Sequence, residues 1–416
     1  MDIKLIRENP DEARRLLALR RKPGDIDRIV TLDADRRRLA HERDEARFRQ
    51  RQVSEAVGRA KKAKAPCDAE LEQAREVSEL VKRLDAEVAA VESEQATLAR
   101  ALPNVVHSSV TEEEETVAEW GEPRQFDFAP LAHWDLGAAL GIIDLEAAAR
   151  LAGSRFVVFR GAGALLERAL VNYFLDTNTR RHGYVEVAPP ALANATTLEA
   201  AGQLPHMEGE MYATRDDGFY LVPTAEPQLV NYHRGETIAA DRLPLKYTAY
   251  TPCFRREAGS YGKDVRGMVR IHQFDKVENV RLTWPDRSYA ELEEMRGEAE
   301  SLLRDLGISY RVKRLAAWDI AFQSAKTYDL EAWAPGVGRW LEVSSISNCE
   351  DYQTRRGGIR AKGADGKSFL PHALNGSALA LPRMFIAVVE NYQQADGSVV
   401  VPEVLRPYMG GLDRIA

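Results

Sequence analysis

Residues Thr251 to Thr283 read TPCFRREAGSYGKDVRGMVRIHQFDKVENVRLT. Two extended segments flank a charged connection punctuated by Gly259, Gly262 and Gly267. Side chains two apart in a strand share a face. Cys253, Arg255 and Glu257 therefore lie on one face of the incoming segment. On the outgoing segment, Met268, Arg270, His272, Phe274, Lys276 and Glu278 share a face. A half-buried antiparallel hairpin normally turns apolar residues to such a face. A surface of cations, carboxylates and one aromatic ring is either a solvated, ion-paired edge or a face built to hold something.

The first hundred residues follow another rule. Asn9-Pro10-Asp11-Glu12 has a capping residue, a proline suited to the first helical position and two acids for the positive end of the dipole. From about 25 to 64, Leu32, Leu39, Ala46 and Val53 recur every seven residues, and the partner seam is Ile29, Arg36, Arg43, Gln50 and Val57. After Ala65-Pro66-Cys67-Asp68 a second pattern runs to Leu102. Val77, Leu84, Val91 and Leu98 form one row; Ala74, Val81, Val88 and Leu102 form the other, interrupted by Gln95. This spacing predicts an antiparallel two-helix coiled coil about 50 Å long at 1.5 Å per residue. Residues 28–64 carry 12 Lys/Arg against 6 Asp/Glu, and residues 68–102 carry 4 against 9. That imbalance suits charge pairing between the helices and also phosphate contacts from the first. A long charged arm packed only on itself suits a folded RNA, read by shape and backbone.

A net charge of −7 excludes a uniformly basic nucleic-acid binder, so RNA contacts need a local surface. Three cysteines, Cys67, Cys253 and Cys349, are too few and too scattered for a disulfide framework or a metal knuckle. The amino terminus lacks an apolar leader core, and no apolar run approaches 18 residues. A cytoplasmic protein with no membrane association is expected. From Glu119 onward helix and strand patterns alternate, giving an α+β body over residues 104–416 behind an arm at 1–103.

Four stretches of the body carry polar signals. Gly163 to Arg181 reads as a helix, followed by a short strand at Tyr184-Val185-Glu186-Val187-Ala188-Pro189-Pro190. A strand from Phe219 ends in Thr224-Ala225-Glu226. Trp340-Leu341-Glu342-Val343-Ser344-Ser345 is a strand with a small polar tail, followed by Asp351-Tyr352-Gln353-Thr354-Arg355-Arg356. His372 to Arg383 leads into an apolar helix from about Met384 to Tyr392. With the hairpin FRREAGSYGKDVRGMVRIHQFDKVE, these stretches resemble, in order, the three signature motifs and serine-type inserts of the class II aminoacyl-tRNA synthetases, in the form of the seryl-tRNA synthetases. The arm resembles that family's tRNA-binding domain.

The resemblance implies a helix-flanked antiparallel sheet as catalytic core, a homodimer, L-serine and tRNA(Ser) as partners, and ATP with magnesium. It assigns ATP to Arg255, Arg256, Glu257, Phe274, Glu342, Val343, Ser344, Ser345 and Arg383. Arg255 is given the α-phosphate and the serine carboxylate, Arg383 the γ-phosphate, and Glu342 with Ser345 the magnesium. Serine falls to Thr224, Ala225, Glu226, Arg255, Glu278 and Ser377, and the tRNA acceptor end to Lys263 and Arg266 in the hairpin loop. No zinc is expected. His272 is expected to make a structural hydrogen bond. The chain departs from the family pattern at Val106–Thr111, Leu165, Pro227-Gln228, Thr354, Ala378 and Pro382. Two alternatives follow: a specialised paralogue, antibiotic-resistant or serving a biosynthetic pathway, and a synthetase-like ligase that loads a carrier protein.

Overall fold

A computed structural model describes residues 1, 3–22, 24–258 and 266–416. The chain divides into two compact units, Met1–Pro103 and Asn104–Ala416. Among the described residues, no helix is long and apolar enough to cross a membrane.

The first unit is helical. Asn9 caps the helix Pro10–Leu19 through a bond from Glu12 N, with Pro10 in the first turn. Two long helices, Ile26–Lys62 and Asp68–Arg100, pack antiparallel. Leu39, Ala46, Val81, Leu84 and Val88 form the buried seam, as the seven-residue rows require. Charges bridge the helices from Arg28 to Glu94 at 2.7 Å and from Arg47 to Asp85 at 2.8 Å. Gln50 reaches Ser78 at 3.1 Å. The periodicity did not reveal Asp33. It is buried next to the seam and held by Arg7 at 2.7 Å, with Gln95 at 3.5 Å from the opposite helix. The interrupting Gln95 is thus one partner of a buried polar contact.

The second unit is organised on an eight-stranded sheet. Its order is Glu115–Trp120, Tyr310–Arg314, Lys326–Ala334, Arg339–Asn348, His372–Ala380, Gln273–Thr283, Leu245–Phe254 and Val185–Glu186. Every neighbouring pair is antiparallel except the last, where Val185 lies parallel to Tyr247. The hairpin therefore supplies two inner strands, not an edge. Helices Ala162–Arg180 and Leu381–Asn391 bury Leu166, Leu170, Phe174, Phe385 and Val389 in the main core, where Val277 also lies. Val277 alternates with Lys276 and Glu278, so at this part of the strand the apolar side chain meets the main core and the charged pair turns to the other face.

Regular pairing is shorter than the sequence pattern predicts. It ends at Phe254 opposite Gln273. Beyond it Arg255 N still bonds His272 O at 2.9 Å, but Glu257 has φ +50°, outside the strand region. Arg270 and His272 are consequently held by individual contacts and not by strand alternation. Tyr184–Pro190 also yields only the two-residue strand Val185–Glu186, because the two prolines that follow cannot donate to a ladder. The last helix begins earlier than the apolar run suggests, at Leu381, with Pro382 in its first turn.

Candidate active site

The polar face of Gln273–Thr283 opens on a cavity of about 420 Å³. Adjacent strands bring the distant motifs to it by register. Phe274 lies opposite Cys253, Lys276 opposite Thr251, and Glu278 opposite both Ala249 and Ser377. One step further along the same face, Val280 packs with Leu229 of the short helix Glu226–Val230. That contact places Glu226, the first residue of the helix, in the cavity wall with Glu278. Two bulges shape the opposite wall, between Glu342 and Ser344 and between Ser377 and Ala380. A bulge re-aims side chains locally; the second includes Leu379 at φ +85°. Gly376 permits the strands to close: a Cβ there would come within 2.9 Å of Ile346.

The cavity grades from a buried ionic end to a half-exposed cationic end. At the buried end Lys276 pairs with Glu278, and Thr224 Oγ1 donates to Glu278 Oε2 at 2.9 Å. Glu226 receives Gln323 Nε2 at 3.0 Å and Gln353 Nε2 at 2.7 Å. Burial, with Glu278 adding to it, pushes the Glu226 carboxyl up to about 7. At the other end the Arg255 guanidinium lies 5.3 Å from the centre of the Phe274 ring, with Nε donating to Pro223 O at 3.3 Å. Arg383 donates to Glu342 O at 2.7 Å and approaches Glu342 Oε2 at 3.3 Å. Glu257 Oε2 accepts from Arg270 at 3.2 Å.

Thr224, Glu226, Arg255, Glu257, Phe274, Glu278, Glu342, Val343, Ser344, Ser345, Ser377 and Arg383 all line this one cavity. Ala225 and Arg256 do not. Ala225 is fully buried in the cluster beneath the helix Glu226–Val230, and Arg256 is exposed, with its N–H bonded to Glu210 O at 2.7 Å. Arg266 bonds Asp135 at 3.1 Å and lies 4.9 Å over the Trp134 ring. Lys263 lies outside the described residues. His272 Nδ1 donates to Arg255 O at 3.1 Å, in a position to hold the backbone that carries Arg255.

Sequence reasoning did not single out Asp329, which sits opposite Ser345 in the ladder. Burial and then the negative Glu342 hold its carboxyl well above the usual range, and its Oδ1 has no hydrogen-bond partner. Gln203, His206, Phe322, Gln323 and Asn375 also line the cavity. Gln203, His206, Phe322 and Gln323 come from segments without a motif-like pattern, so only folding reveals them; Asn375 lies within the His372–Arg383 stretch already marked in the sequence. The residues at which the chain departs from the pattern are accommodated. Gln228 donates to Pro190 O at 2.8 Å and Leu192 O at 3.0 Å, and Thr354 donates to Pro371 O at 2.6 Å.

Comparison with known proteins identifies the family and the fold. Residues 210–392 match the tRNA synthetase class II core domain (G, H, P, S and T), and residues 1–106 match the seryl-tRNA synthetase N-terminal domain. A serine–tRNA ligase from Nitratidesulfovibrio vulgaris is 50% identical over 100% of this chain and 99% of its own length. The chain belongs to the seryl-tRNA synthetase family. The seryl-tRNA synthetase from Pyrococcus horikoshii, solved with ATP, superposes with a TM-score of 0.94 at 33% identity, covering 100% of this chain and 99% of that one. The cytoplasmic enzyme of Naegleria fowleri, solved with AMP, gives 0.88 at 30%, covering 100% and 98%.

Proposed function

We propose that the protein activates L-serine with ATP and transfers it to the 3′ end of tRNA(Ser). The observation that carries this reading is the graded cavity. A buried carboxylate pair, Glu226 and Glu278, suits a small ammonium, and the half-exposed Arg255 and Arg383 suit anions. In the first step a serine carboxylate oxygen attacks the α-phosphorus of ATP and pyrophosphate leaves. In the second, the terminal ribose hydroxyl of tRNA attacks the seryl carbonyl and AMP leaves. Both reactants of the first step are anionic, so charge neutralisation and orientation dominate. Orientation alone is worth roughly 7–11 kcal/mol.

Arg255 offers a planar fork to the serine carboxylate and the α-phosphate together. Glu257 accepts from the adenine amino group, and Phe274 stacks on the ring, with Val343 and Ser344 completing the nucleotide site. Arg383, in the first turn of its helix, takes the γ-phosphate, where the helix dipole adds to its charge. Glu226 and Glu278 hold the ammonium. Thr224 and Ser377 read the small hydroxylated side chain. A site built for a hydroxyl rejects analogues lacking it far better than an apolar pocket does. Magnesium, when bound with ATP, neutralises phosphate charge; Glu342 and Ser345 would hold it. The oxygen-only donor set and the unpartnered Asp329 Oδ1 beside them suit that cation.

Residues 1–103 are read as the tRNA-binding arm and 104–416 as the catalytic domain, with Lys263 and Arg266 meeting the acceptor end. A homodimer built on the helix Ala162–Arg180 and the strand after it, acting in the cytoplasm, completes the reading. The 60% exposure of Val185 on the last strand of the sheet supports such pairing. Serine-dependent ATP–pyrophosphate exchange together with seryl-tRNA formation tests the reading; folded protein that does neither overturns it. Arg255→Lys keeps the charge but loses the fork. It is expected to lower kcat/KM for exchange about 100-fold, or about 2.7 kcal/mol.

A further inference from the structure

Glu226 is set apart by how it is held. Two glutamine amides, from segments 30 residues apart in the chain, converge on the same oxygen, Oε1. Both glutamines are buried. Gln353 also donates to Ala201 O at 3.0 Å, at the end of the helix Ala195–Ala201, while its own Oε1 is buried without a hydrogen-bond partner. The amide therefore gives one donor to the carboxylate and one to Ala201 O, and leaves its acceptor unsatisfied. A side chain present only to fill space would not be held this way.

We propose that Gln323 and Gln353 are positioning residues that orient the Glu226 carboxylate through Oε1 and favour its charged form, with Oε2 left for the substrate ammonium. This rests on the serine–tRNA ligase reading and adds a specific claim about how the ammonium end is prepared.

The charges around Glu226 make such a device necessary. Glu278 on the neighbouring strand disfavours a second negative charge, and the Cys349 thiol also lies nearby. Lys276 favours the charge but is already paired with Glu278. Arg255 lies on the same cavity wall, and Glu199 of the helix Ala195–Ala201 is exposed. Even with the amides in place, burial and Glu278 push this carboxyl up to about 7, and without their donors it would hold its proton to higher pH, a form that does not attract an ammonium. The two amides lower its pKa, and being neutral they do so without themselves competing as cations for the carboxylate.

The test replaces each glutamine with methionine, Gln353→Met and Gln323→Met, which keeps length and removes the donors. Exchange is measured against serine and ATP concentration from pH 6 to 9. The expected result is a rise of about tenfold in KM for serine at pH 7 that shrinks towards pH 9, with KM for ATP unchanged. Gln353→Glu adds a third carboxylate and should raise KM for serine further. A wild-type KM and pH profile in the folded variants overturns the proposal. So does an equal rise for serine and ATP, or a rise that does not change with pH, since either marks a structural role. If one variant fails to fold, the other decides. Absence of serine-dependent exchange in the wild type would instead refute the functional reading beneath it.

Discussion

Two buried glutamates show how neighbours decide the meaning of one residue type. Glu226 lines the cavity and is met by two amides. Glu167, in the helix Ala162–Arg180, has no partner for Oε2; burial and then Asp275 push it up to about 8. An unfolded glutamate titrates near 4.5. Between 4.5 and 8 the folded chain keeps a proton that the unfolded chain has lost, so stability falls as pH rises through that window. Glu167→Gln should remove this slope. The variant is expected to be more stable by about 2 kcal/mol at pH 8 and to converge with wild type by pH 4.5, read from denaturant melts at fixed protein concentration. A gap of constant size across pH would contradict the assignment. Nothing in the LERAL stretch of the sequence separates Glu167 from an ordinary helix glutamate, because its environment comes from a strand more than 100 residues away.

At the scale of elements, the loop between the hairpin strands is tied down at its described end. Gly267, at φ +77°, packs so closely that a Cβ would lie 2.2 Å from His133 Nε2. His133 Nε2 accepts from Met268 N at 3.1 Å, and its Nδ1 meets Glu390 Oε1 at 2.8 Å. Glu390 Oε2 accepts from Gly336 N and Val337 N at 2.8 and 3.0 Å. The helix His133–Ala139, the turn at 336–337 and the helix that carries Arg383 are thereby pinned to one another and to the hairpin. Arg266 could serve this anchoring through Asp135, or it could meet tRNA. Arg266→Ala and Asp135→Ala distinguish the two. Contact with tRNA predicts that Arg266→Ala slows aminoacylation about tenfold while exchange stays near wild type, and that Asp135→Ala changes neither. Matching losses in both variants would mean that the arginine only anchors the loop.

At the scale of the whole molecule, the chain divides into two compact units. The seam of the first is buried within its own two helices, and the cavity lies wholly within the second. Deleting residues 28–100 is therefore expected to leave serine-dependent exchange within about threefold of wild type and to abolish seryl-tRNA formation. An unaffected acceptor step would favour a carrier-protein ligase. The arm was legible because a seven-residue period survives single interruptions, even where Gln95 breaks the row. The hairpin was legible because charge at every second position is foreign to a core strand. The limit of alternation was not legible. Arg255 and Arg270 lie beyond the last regular pair, and contacts such as Arg270 to Glu257 set their positions.

The sequence by itself determined the helical arm, the mixed body, the order of the motifs and most of the residues that meet in the cavity. Local periodicity and residue chemistry are properties of neighbouring positions, and they survive without coordinates. Only the tertiary structure decided that the hairpin strands are interior and that Asp329 is buried opposite Ser345 within reach of the Glu342 charge. It alone placed two glutamines on one oxygen of Glu226 and left Ala225 and Arg256 out of the cavity wall. Those facts depend on register, bulges and burial across strands distant in the chain, where a one-residue shift would turn each side chain to the other face. The charged face of the hairpin announced a site; its neighbours determined how each group within it is held.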